Sequence, residues 1–529
     1  MNGLSSSTLS DRQAIWAFAL GCVAVTAGVL LHIPMFMMGG GMHFMLSGMP
    51  MGWDMIFGMV LIVGGCMVAA WGLLPRNVAA QRAAAADIVI AAPEDAHLGR
   101  AHWGLMVVLV VALIIDTMKP AALGFTIDGM KHEYRVDQSV ASLVPFFALI
   151  GTVTGSVLWG VLADIYGRKA TILLSAVMFV GTSICGAMPS LAWNIGMCFM
   201  MGAAAGGMLP VTYALLAEMM PSKHRGWSLV LVGGLGAGGG YLAASGAAAY
   251  LVPITSWRIL WLLNLPTGLA LVFLGAFIPE SAKFLIARGR AVEAREVMRK
   301  FGAVAKKVTA APARAATTAG HGALSGLQLY GKLTALSITA LSWGFVNFGL
   351  LLWLPAHLRD QGYPVEVANG LLAKSALIAI PMAFACALIY SLWSTKWSLV
   401  TSIGILGLGL LGVLRLELFG GGDPVLPFAL LIIGINGIIA IVLPYTAESF
   451  PLRVRGRATG WVAACTKAGG VIAQALSISM LVPPIGIVAG AVVVPVVAAL
   501  VLIAWFGRET RGRDLRDLDD VMLHSGAVA

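Results

Sequence analysis

The chain has 529 residues, of which 59% are hydrophobic and only 11% charged, and its mean hydropathy is +0.90. Soluble globular domains carry roughly a quarter charged residues, so this composition excludes one and points to a protein embedded in a bilayer. The net charge of +10 would suit a nucleic-acid binder, but the placement of the cations assigns it to membrane topology, and no nucleic-acid partner is expected.

A spanning helix needs about 20 apolar residues, and the chain offers fourteen such stretches. Two precede a linker, over residues 14–38 and 51–74. Six follow it, over 103–126, 140–162, 170–188, 193–216, 228–251 and 257–278, and six more run over 333–358, 367–390, 397–414, 425–443, 458–481 and 485–506. The predicted organisation is a Met-rich transmembrane hairpin over 1–75, a cytoplasmic linker over 76–102, a six-helix half over 103–279, a central cytoplasmic loop over 280–332, a second six-helix half over 333–507 and a cytoplasmic tail over 508–529. This is an all-α membrane protein of two six-helix halves plus a hairpin. The 64 glycines suit it, because small residues let membrane helices approach closely.

The hairpin concentrates Met35, Met37, Met38, Met42, His43, Met45, Met49, Met51 and Met55. Soft thioether and imidazole ligands suit Cu(I), whereas methionine also fills irregular apolar contacts, within the protein or against a membrane-protein partner. Both readings stay open at this stage. The six cysteines all fall in apolar stretches with no C-x-x-C pair, so neither a disulfide framework nor a zinc site is indicated.

With the N-terminus placed in the cytoplasm, only Lys131, Arg135, Arg258, Arg359 and Arg415 fall outside, and Lys119, Lys374 and Lys467 fall within helices. All other Lys and Arg residues lie on the cytoplasmic side, as the retention of positive charge during insertion requires. A multi-pass protein of the cell inner (plasma) membrane with both termini cytoplasmic is predicted. The first helix runs straight on to a second without a small-residue cleavage pattern, so it is read as an uncleaved span.

Two loops share the pattern A-E-x-x-P-x-x-x-R-G, one from Ala217, Glu218 and Pro221 to Arg225 and Gly226, the other from Ala447, Glu448 and Pro451 to Arg455 and Gly456. Each matching pair is 230 residues apart, which argues for a parallel repeat of two halves. The central loop contains an amphipathic helix over 290–301, followed by an Ala/Lys/Thr-rich stretch that reads as flexible.

The loop Gly160-Val-Leu-Ala-Asp164-Ile-Tyr-Gly167-Arg168-Lys169 combines turn-forming glycines with charges suited to a helix terminus. It closely resembles the signature loop of the major facilitator superfamily. Pro279-Glu280-Ser281-Ala282-Lys283-Phe284-Leu285 resembles the segment after the sixth helix in sugar-porter and metabolite:proton-symporter branches, and Trp353-Leu354-Pro355 with Gly362-Tyr363 is closer to metabolite symporters. The second copy of the signature loop is reduced to the stretch 391–397, with Lys396 its one cation. The resemblance covers 103–518 and leaves out the hairpin. Gly233, Gly234, Gly236, Gly238, Gly239 and Gly240 resemble an antiporter motif without its proline, and close packing accounts for them.

The resemblance implies that the first, fourth, seventh and tenth core helices line a central cavity, with help from the second, fifth, eighth and eleventh. Ionisable residues inside a membrane are costly and therefore candidates for function. Asp116 and Lys119, three residues apart, and the lone cations Lys374 and Lys467 fit an anionic solute, with Asp116 as the titrating group. Tyr213, Asn347, Asn436 and Gln474 are candidate neutral donors. Gly160, Asp164, Gly167, Arg168, Lys169, Glu218, Arg225, Glu448 and Arg455 are candidate gating residues. The expected function is secondary active, proton-coupled movement of a small organic anion by alternating access, with the substrate, protons and the lipid bilayer as partners. Copper handling by the hairpin and a non-transporting receptor or assembly subunit are the alternatives. No cofactor, metal centre or enzymatic activity is expected, and no nucleotide-binding G-x-x-x-x-G-K-[ST] loop is present.

Overall fold

A computed structural model describes residues 11–74, 88–91, 97–280, 282–287, 290–302, 304–307, 326–360, 362–420, 422–450, 452–479 and 484–511. The Ala/Lys/Thr-rich stretch of the central loop and most of the first linker lie outside the described residues. Among those described, fourteen helical segments are long and apolar enough to cross a membrane. The extra hairpin is α1 (Arg12–Met42) and α2 (Trp53–Leu73). The first half is α3 (Arg100–Tyr134), α4 (Gln138–Ala163), α5 (Arg168–Ala187), α6 (Leu191–Met219), α7 (Lys223–Leu251) and α8 (Ile259–Phe277). The second is α9 (Gln328–Asp360), α10 (Val365–Leu392), α11 (Thr395–Phe419), α12 (Val425–Ser449), α13 (Ala458–Ile478) and α14 (Ile485–Phe506).

The amphipathic stretch of the central loop forms the helix Ala291–Phe301, with Ala294 and Phe301 buried. One feature departs from an all-helical reading: β1 (Ile88–Ala91) pairs antiparallel with β2 (Val304–Lys307), joining the first linker to the central loop. The β-branched run Ile88-Val89-Ile90 favours an extended strand.

The halves meet through α3 against α9, α4 against α13 and α7 against α10, and one apolar core runs through both. The hairpin packs tightly on itself. A methyl group at Gly21 would lie 2.6 Å from the Gly65 carbonyl, and one at Gly28 would lie 2.5 Å from that of Gly58, so only glycine admits this approach. Met35, Met55, Val25, Val29 and Ile62 then pack on Val177, Val180 and Ile184 of α5. The buried Met35 and Met55 thus serve as core side chains, while Met37, Met38, Met42 and Met45 are exposed.

The hairpin loop is fastened to the first half by Glu133. Its carboxylate accepts hydrogen bonds from Leu46 N (2.6 Å), Ser47 N (3.0 Å), Trp257 Nε1 (2.9 Å) and the fully buried Arg258, through Nε (3.1 Å) and Nη2 (2.7 Å). Arg258 Nη1 further donates to the carbonyls of Gly186 (3.2 Å) and Met188 (2.8 Å). A buried ion pair with this many bonds leaves neither charge uncompensated. The hairpin is therefore anchored to the first half.

Candidate substrate site

A cavity of about 490 Å³ lies between the halves, within the usual size of a small-ligand site. It is walled by Asp116 and Thr117 of α3, Ser156 and Gly160 of α4, Tyr213 of α6, Tyr241 of α7, Trp343, Asn347 and Phe348 of α9, Asn436 of α12 and Lys467 of α13. Two backbone features shape the wall. Pro120 interrupts the hydrogen-bond ladder of α3 one turn beyond Asp116. In α9, one turn of π-helix over Val346–Leu350 carries Asn347 and Phe348, a distortion common at functional sites.

Asp116 is 5% exposed and its Oδ1 has no hydrogen-bond partner. Tyr213 OH, Tyr241 OH and Asn436 Nδ2 also lack one. Buried polar atoms are nearly always satisfied, so four unsatisfied ones around one cavity mark where a ligand or water completes the bonding. Lys467 Nζ stands 5.2 Å from the Phe348 ring centroid and 6.0 Å from that of Trp343. Among the described residues neither Asp116 nor Lys467 belongs to an ion pair. The cavity thus holds one carboxylate, one ammonium and four aromatic rings.

Three of the residues expected to face the cavity lie elsewhere. Lys119 is 1% exposed and turns toward α5, donating to the Phe179 carbonyl and to Thr182 Oγ1, both at 3.0 Å. Three residues along a helix leave about 60° between side chains, enough in a crowded bundle to send Asp116 to the cavity and Lys119 to a neighbour. Lys374 is exposed near the start of α10, a helix that lends no lining residue, and its long stem lets it reach the interface. Gln474 is fully buried and donates through Nε2 to the Phe348 carbonyl, where it ties α13 to the π-turn. Sequence reasoning passed over Trp343, Phe348 and Tyr241; the first two sit five residues apart in a largely apolar run and carry no charge to betray them.

The cavity has a closed and an open end. Opposite the signature loop, Ser142 at the start of α4 bonds Ser477 at the end of α13 (Oγ to Oγ, 2.6 Å), and Arg359 of α9 pairs with Asp128 of α3. Near the signature loop, Gly160 of α4 and Gly460 of α13 both face the cavity. A methyl group at Gly160 or at Gly460 would meet nothing within 4 Å, so the cavity has open space at the end toward the signature loop.

Around that loop, Gly167 adopts φ +99°, a region where glycine alone is unstrained, and so ends one helix and starts the next. Arg168 Nη2 pairs with Glu218 (3.2 Å), and the amides of Arg168 (3.0 Å) and Lys169 (3.4 Å) donate to Glu280. Lys169 Nζ donates to the Ala276 carbonyl at 3.4 Å. In the second half Glu448 accepts from Tyr390 OH (2.6 Å) and Thr510 Oγ1 (2.9 Å). Arg225 is partly buried with Nε unsatisfied, one residue from Gly226, which faces Tyr390 and Glu448 of the other half. The side chains of Asp164 and Arg455 lie outside the described residues.

Comparison with known proteins agrees with this architecture. The chain is 26% identical to the niacin transporter of Acinetobacter baylyi over 442 residues, covering 80% of this chain and 98% of that one. It is 30% identical to the 4-hydroxybenzoate transporter of Pseudomonas putida over 291 residues, 51% of this chain and 62% of that one. Among solved structures, the proton:xylose symporter XylE superposes with a TM-score of 0.63 at 15% identity, covering 80% of this chain and 99% of that one, a likeness of fold. The pattern of the Major Facilitator Superfamily matches residues 105–474. With its fourteen apolar helices, paired halves and central cavity, the chain is a multi-pass membrane transporter, not an enzyme, and belongs to the major facilitator superfamily.

Proposed function

We propose that the chain is a proton-coupled transporter of small aromatic monocarboxylates, seated in the inner (plasma) membrane with both termini cytoplasmic. The observation that carries this reading is the cavity itself: an ammonium without a salt-bridge partner, Lys467, stands beside Phe348 and Trp343 and across from the unsatisfied carboxylate of Asp116. Lys467 takes the substrate carboxylate, the aromatic rings take its planar body, and Asn347, Asn436 and Tyr213 supply neutral bonds. The carboxylate substrates of the two similar transporters suit the same division. When the anion engages Lys467, Asp116 loses a nearby compensating charge, and a proton on Asp116 restores neutrality. Proton and anion then cross together.

In this reading the structure faces the cytoplasm. The cluster of Gly160, Asp164, Gly167, Arg168, Lys169, Glu218, Arg225, Glu448 and Arg455 gates that side, and the contact of Asp128 with Arg359 closes the other. The test is uptake of labelled nicotinate, benzoate and 4-hydroxybenzoate into proteoliposomes, with an inward proton gradient and with a protonophore. Gradient-driven accumulation, abolished by the protonophore and competed by unlabelled aromatic carboxylates but not by xylose, is expected. Uptake of xylose in place of carboxylates, or accumulation indifferent to the protonophore, would overturn the reading.

A further inference from the structure

A second chamber of about 250 Å³ lies at the closed end, on the same seam between the halves. Its wall includes Asp128 and His132 of α3, Arg359 of α9 and Asn369 of α10, and, from the extra hairpin, His43 and Met45. Only a thin partition separates it from the central cavity. A methyl group at Gly124 would lie 3.1 Å from the Leu352 backbone, so α3 and α9 touch there, and Phe125 in the outer chamber stands 6.0 Å from Tyr241 in the inner one. The two chambers are consecutive spaces along one path.

The outer chamber has its own uncommitted polar group. Asn369 is 4% exposed, faces the chamber and makes no hydrogen bond among the described residues. Arg359 bonds Asp128 through Nη1, and this pair ties α3 to α9 on the outer side of the Gly124–Leu352 contact. A guanidinium presents five donors in a planar fork matched to a carboxylate, so an incoming carboxylate competes directly with Asp128. His43, held at φ +52°, and Met45 reach the chamber because Glu133 fastens the neighbouring Leu46 and Ser47 amides to the first half.

We infer that this outer chamber is a second carboxylate site, the first stop of the transported anion, in which Arg359 and Asn369 bind the carboxylate and the hairpin loop supplies the outer wall. The inference rests on the proposed transport of aromatic carboxylates. Binding there draws Arg359 away from Asp128 and so loosens the contact that closes this end; the anion opens its own way to Lys467. The hairpin is then part of the entry path, because it carries His43 and Met45 into the wall of the chamber the anion meets first.

The test uses purified full-length protein with Met45→Cys, whose thiol faces the chamber, and follows its modification by a hydrophilic methanethiosulfonate, with the parent protein as the blank for native cysteines. Benzoate or nicotinate should slow modification at least threefold. Protection should persist in Lys467→Gln, which disables the central site, and should vanish in Asn369→Ala and in Asn369→Asp, two variants that differ in shape and charge so that misfolding of one does not decide the matter. In proteoliposomes, Asn369→Ala should raise KM for uptake about tenfold with Vmax within twofold. No protection by either anion, or protection lost in Lys467→Gln but retained in Asn369→Ala, would overturn the outer site. Protection intact in a protein that fails to transport any aromatic carboxylate would instead overturn the transport reading and leave the anion site standing.

Discussion

In the first half, Glu280 caps the start of α5 by accepting from the amides of Arg168 and Lys169, while Arg168 also pairs with Glu218. In the second half, Glu509 caps the equivalent start of α11, accepting from the Thr395 amide (3.0 Å), from Thr395 Oγ1 (2.6 Å) and from Ser394. Glu448, the counterpart of Glu218, accepts from Tyr390 OH and Thr510 Oγ1. The geometry of the helix cap is preserved although the charged loop around it is not. Carboxylates at helix N-termini are stabilised by the free amides there whichever side chains add further donors. The same asymmetry runs through the cavity, where the first half supplies the acid, Asp116, and the second the cation with its rings, Lys467, Trp343 and Phe348. Repeated backbones have thus been given unequal tasks.

The largest expected effect is on the cation. Lys467→Gln removes a charge-assisted bond of about 1.5–3 kcal/mol, so affinity for benzoate or nicotinate should fall roughly 10- to 100-fold by calorimetry; unchanged affinity would remove Lys467 from substrate binding. Asp116→Asn should retain binding within a few-fold but lose accumulation against a gradient, since the amide keeps the shape and cannot carry the proton. Counterflow, which needs no net proton movement, should survive in this variant, and its loss would show that Asp116 does more than couple.

A smaller effect is expected at the signature end. Arg168→Ala should slow transport about tenfold with substrate affinity intact, whereas Tyr390→Phe in the other half should slow it no more than about threefold, because it removes one hydroxyl donor and leaves the Thr510 hydroxyl on the same Glu448 carboxylate. Equal losses would erase the distinction between the two clamps. The smallest effect concerns Glu509. Burial pushes its carboxyl up, but donors from Ser394, Thr395 and the Arg511 amide outweigh it and hold the group down to about 2. A folded-state value below the unfolded one, near 4.3, means that this tie is fully present above that pH and is lost as pH falls toward 2. In detergent, Glu509→Gln should lower the melting temperature by a few degrees at pH 7, and the gap from the parent should shrink steadily below pH 4.

Hydropathy and the 230-residue repeat were enough to read the fourteen spans and the paired halves, because a bilayer forces every spanning segment to announce itself as about 20 apolar residues. Asp116 and Lys467 were legible for the complementary reason: a charge inside an apolar helix is expensive enough to stand out. The same signal could not tell them from Lys119 and Lys374, since it reports depth along a helix and not the direction a side chain faces. That direction depends on neighbours distant in sequence: the Phe179 carbonyl and Thr182 receive Lys119, and the π-turn of α9 swings Asn347 and Phe348 onto the cavity wall. Nor did any local pattern connect Leu46 and Ser47 with Glu133, or Arg359 with Asp128. Those contacts join elements tens to hundreds of residues apart, so only the packing of the helices decided that the hairpin is fastened to the first half and that a second chamber lies beyond the first.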